Sequence, residues 1–136
     1  MCLISNGGVK IADKDIVCYK IAIVVDNKAI SYKGMVSPFW HSPIEFDKLY
    51  TEDIFDDYTT WVEKNCIIDI NCFHLFTNYD TALEYYGLRK PHTTDNMIII
   101  KAIIPKGTPY IEGFFDSCFG EFDSIATKSV IYQPLD

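Results

Sequence analysis

The sequence predicts an α+β domain, a mainly antiparallel sheet of about six strands with one or two short helices against one face. Three observations carry this. Hydrophobic runs of strand length and β-branched composition recur along the chain, as in residues 15–25 (DIVCYKIAIVV) and 97–104 (MIIIKAII). One segment near residue 80 has both the start and the stop signals of a helix. The predicted order of strand, strand, helix, strand, helix and three further strands does not alternate as a parallel doubly wound fold would. At 136 residues, with no internal repeat and no Pro/Gly/Ser linker, residues 1–136 form a single domain.

The elements follow in order. Residues 15–25 form a strand, and Asp26-Asn27-Lys28 supplies turn chemistry, since Asp and Asn tolerate a left-handed backbone. Residues 29–36 pair back to complete a hairpin. Ser37-Pro38 and Ser42-Pro43 bracket a loop holding Phe39, Trp40 and His41. In residues 51–65, Ile54, Phe55, Tyr58, Trp61 and Val62 share one helical face, which predicts a short helix capped by Thr51.

Residues 67–76 read as a strand bent near Asn71. Thr77-Asn78-Tyr79-Asp80 matches a capping box, and Gly87 stands where a helix would stop. The run 97–104 reads as an interior strand, and Pro105-Lys106-Gly107 turns the chain. Residues 110–112 and 124–132 complete the set of strands. Between them lies an expected loop, 113–122, rich in Phe.

Twelve Lys and Arg against 19 Asp and Glu give a net charge of −7. That balance disfavours nucleic acid or an anionic membrane as the main partner. The most hydrophobic stretch, 16–25, is too short to span a bilayer and carries Lys20. The five cysteines are odd in number and lack the spacing of a disulfide framework. With no basic leader or apolar signal core at the start, the expected compartment is the cytoplasm, with reduced thiols.

Chemistry-bearing patterns are sparse. Cys66, Cys72 and His74 would share one face of a strand, with His41 or His92 as a distant fourth zinc ligand. No second close pair completes such a site, and buried thiols beside a hydrogen-bonded His account for the same residues. Cys2 could serve as an N-terminal nucleophile, but the chain is short for the layered enzymes that use one. There is no phosphate-binding glycine loop, no metalloprotease motif and no nucleophile elbow. No metal and no cofactor is therefore expected. The aromatic side chains expected in loops (Phe39, Trp40, Phe114, Phe115, Phe119, Phe122) either fold back as lids over the core or form a recognition patch, and lids are favoured.

Residues 15–20, the Phe73-His74-Leu75-Phe76 string with Ala82, Tyr85 and Tyr86, and residues 101–107 followed by Tyr110 carry a resemblance. On these residues the chain resembles a family of small proteins from gut bacteria and their phages that has no assigned activity. It departs from that pattern at Cys72, where the family has Gly. The resemblance implies an accessory protein of phage or bacterial origin.

A weaker resemblance is to the ADP-ribosyltransferase fold. It implies Lys20 as an early basic residue, His74 as the ring stacking on nicotinamide, and Glu121 or Glu112 as a late acid. Neither Glu opens a final strand as that fold requires, and Lys20 replaces its usual Arg or His. The candidate ligand-binding residues are thus Tyr19, Lys20, Trp40, His41, His74, Tyr86 and Glu121. The function expected is a cytosolic binding module for a host protein or a small, nucleotide-like ligand, without catalysis. An ADP-ribosyltransferase-like or degenerate NAD-binding domain is the alternative. Oligomeric state is left open.

Overall fold

The computed structural model describes residues 2–5, 8–25, 28–32, 41–51, 67–69, 73–94 and 96–135. Twelve strands and one α-helix occupy them. The strands are β1 (Cys2–Ser5), β2 (Lys10–Ile11), β3 (Ile16–Val25), β4 (Lys28–Tyr32), β5 (His41–Pro43), β6 (Leu49–Thr51), β7 (Ile67–Asp69), β8 (Phe73–Phe76), β9 (Met97–Ile104), β10 (Pro109–Ser117), β11 (Gly120–Thr127) and β12 (Ser129–Gln133). The helix, α1, spans Tyr79–Arg89 and runs into a 3-10 turn at Lys90–His92. The α+β class is as predicted, but about six strands is too few, because eight strands have four residues or more and four shorter ones join them. The short strands β2, β5 and β6 carry too little periodicity to announce themselves in sequence.

All described strand pairs are antiparallel, in the order β6-β12-β9-β3-β8-β11-β10-β1-β7. β2 adds to β10, and β4 and β5 extend from the far end of β3. The sheet is rolled. Between β11 and β12 lie three strands, about 19 Å of flat sheet at about 4.8 Å per step, yet only Lys128 separates Thr127 from Ser129. Two residues reach about 7 Å, so β11 and β12 can meet only if the sheet curls.

The inside of the roll is one apolar cluster to which every turn of the sheet contributes. Cys18 and Ala22 come from β3, Leu75 from β8, Ile100, Ala102 and Ile104 from β9, Ile125 from β11, and Val130 and Tyr132 from β12. The opposite face carries α1. There Ala82 and Tyr85 pack with Ile21, Ile23, Phe76, Met97, Phe115 and Phe122. Tyr85 sits among four Phe rings at centroid distances of 5.1–5.9 Å, mostly tilted or edge-on, the geometry that aromatic quadrupoles favour.

Several local expectations need correction. Residues 113–122 are no loop: β10 and β11 run through them as a long hairpin that turns at Cys118-Phe119. Phe115 and Phe122 are therefore core strand residues, and alternation, not loop closure, buries them. The expected strand 124–132 is broken at Lys128, and β7 and β8 pair on different parts of the sheet instead of forming one bent strand. Of the expected hairpin, β3 and β4 pair with Val25 opposite Lys28, while residues 26–27 and 33–36 lie outside the described residues. The expected helix over 51–65 lies outside the described residues after Thr51, which belongs to β6.

Helix α1 starts one residue later than the capping box implied. The cap is Asn78, whose Oδ1 accepts from the backbone N–H of Thr81 at 2.8 Å. Gly87 does not end the helix but lies within it, exposed, and a Cβ built there meets nothing within 4 Å. Glycine in that position only adds unfolded-state entropy. Gly87→Ala should stabilise the fold by about 0.5–1 kcal/mol, read as a rise in the urea midpoint at unchanged slope.

Candidate functional site

The two halves of the sheet meet where β3 adjoins β8. On one edge β3 pairs with β9 over Ile16 to Ile23, but β8 reaches its other edge only at Tyr19 opposite Phe76. Beyond this point β4 takes over that edge, from Ile23 to Val25. The intervening stretch of β3 lacks a ladder to β8. Lys20 fills it. The side chain is 2% exposed, and its Nζ donates to the backbone carbonyl of His74 at 3.3 Å. A side-chain ammonium thus serves a carbonyl that a continuous ladder would have given to a strand N–H.

His74 is 1% exposed and lies opposite Ala126 of β11. Burial first, and the nearby Lys20 charge second, hold its imidazole far below the usual histidine range, at about 3. The ring is neutral at any physiological pH. On the same stretch of β11, Ser124 is 1% exposed and its Oγ has no hydrogen-bond partner among the described residues. Cys18, two residues before Lys20, is fully buried, and burial pushes its thiol up to about 12. Burial likewise raises Tyr132 well above the ordinary tyrosine range.

Of the residues predicted from sequence, Lys20 reaches His74 only at its backbone carbonyl, for alternation turns the Lys20 side chain inward with Cys18 and the His74 side chain outward with Phe76. Tyr19 adjoins them on β3, and its ring meets the edge of Tyr79 on α1 at 5.6 Å. Tyr86 belongs to the other end of α1, where its hydroxyl donates to the carbonyl of Met97 at 3.2 Å and Lys90 Nζ lies 5.6 Å from its ring centroid. Glu121 stands apart. It is exposed near the β10–β11 turn, five residues from Ala126 and so about 17 Å from the His74 level. Glu112 is engaged elsewhere, in an exposed ion pair with Lys10 at 2.8 Å. His41 opens β5, and Trp40 lies outside the described residues, as do Cys66 and Cys72 of the considered zinc set. Among the described residues no group of three or more His, Cys, Asp and Glu side chains is placed to hold a metal ion.

Sequence reading missed Ser124. Its hydroxyl stands between Asp123 and Ile125, opposite Gly113, and only the fold reveals that nothing among the described residues answers it. A shallow hollow of about 480 Å³ lined by Pro91, His92, Thr93 and Thr94 lies past the end of α1, with the His92 ring 5.5 Å from Phe119. Among the described residues no helix is long and apolar enough to cross a membrane. Compared with family models, curated proteins and solved structures, the chain matches none.

The depressed histidine has a measurable consequence. His74 stays neutral in the fold but takes a proton in the unfolded chain below about pH 6.5, so its contribution to stability is complete above that pH and is lost as pH falls toward 3. From this residue the loss approaches about 1.4 kcal/mol per pH unit. Urea unfolding of wild type and His74→Phe at pH 7 and pH 4.5 should show the wild type losing more stability than the variant over that interval. Thiol chemistry provides a second check. In the native protein Cys18 should resist a disulfide reagent while the exposed Cys118 reacts at once, which peptide mass mapping of the labelled protein reads directly.

Proposed function

We propose that this chain is a small non-catalytic binding module, an accessory protein of bacterial or phage type acting in the cytoplasm on a host protein or small ligand. The observation that carries the reading is the state of the Lys20–His74 seam. Its ammonium is bound to a backbone carbonyl, its imidazole is held neutral, and the neighbouring thiol is held protonated. General acid–base work needs a group that titrates near the working pH, and nucleophilic work needs an accessible thiolate or amine. These groups supply neither, and they fit a role in holding the sheet together.

The alternative reading, a degenerate relative of the ADP-ribosyltransferase fold, needs Lys20 and His74 to face one cleft, whereas strand alternation turns their side chains to opposite faces of the sheet. Transfer chemistry would also need a carboxylate close to the ribose, and Glu121 is too far along β11 to supply one. Incubation with NAD should therefore give no ADP-ribose above background. Turnover that disappears in Lys20→Met would replace the first reading with the second. Affinity capture from host extract, with thermal shift against nucleotides, should yield a partner or ligand of micromolar strength, and failure of both would remove the binding-module reading.

A further inference from the structure

We draw no further inference here: the strongest candidate, the Ser124 hydroxyl on the α1 face of β11, opposite Gly113 and unpartnered among the described residues, carries nothing, because it is enclosed at 1% exposure and nothing in the structure shows what covers it.

Discussion

The constraint on which the structure depends is the one-residue step from β11 to β12. Because Lys128 alone joins strands that stand four places apart in the sheet order, the sheet must roll, and rolling gives it an inside. Every large feature follows from that enclosure. Cys18, Ala22, Leu75, Ile100, Ile104, Ile125 and Val130 find one another across strands remote in sequence, and burial of such side chains at about 25 cal/mol per Å² is the main term holding the fold. The outside of the roll then needs its own cover, which α1 supplies for the Phe76, Phe115 and Phe122 region.

The roll also contains the seam. In this rolled sheet the ladder is interrupted between β3 and β8, leaving one bridging pair. Packing on both faces replaces the missing ladder, with Leu75 beside Cys18 within and Phe76 beside Ile21 without. Lys20 answers a carbonyl at the break. A buried ammonium is costly to desolvate, so it persists because a polar group is there to receive it. The seam's polar residues are therefore explained by the architecture before any ligand is invoked, and this is why their reactivity is suppressed.

Much of the secondary structure was legible in sequence. The β3–β4 pairing, the long apolar β9 and a helix opening within one residue of its expected cap rest on local rules of β-branching, turn residues and capping, and local rules survive folding. What was illegible is non-local. Phe115 and Phe122 looked like loop aromatics because Gly113 and Gly120 punctuate their segment, yet register against β11 and β10 makes them core. Gly87 looked like a stop, and the chain continued through it until Pro91. The site is non-local in the same way. Lys20, His74 and Glu121 were all placed by analogy: Lys20 meets His74 only at its backbone carbonyl, and Glu121 sits at a hairpin end that no periodicity could have located.

Strand β3 is packed on both sides, and its odd and even residues serve different compartments. Cys18 and Ala22 look inward, while Ile21 and Ile23 look toward α1. An insertion or deletion of one residue between Ile16 and Ile23 would exchange the two sets and send Lys20 to the wrong side. Length in this strand is thus under tighter constraint than composition. Natural variation among descendants of this sequence should alter which aliphatic residue stands at each place while never altering how many places there are.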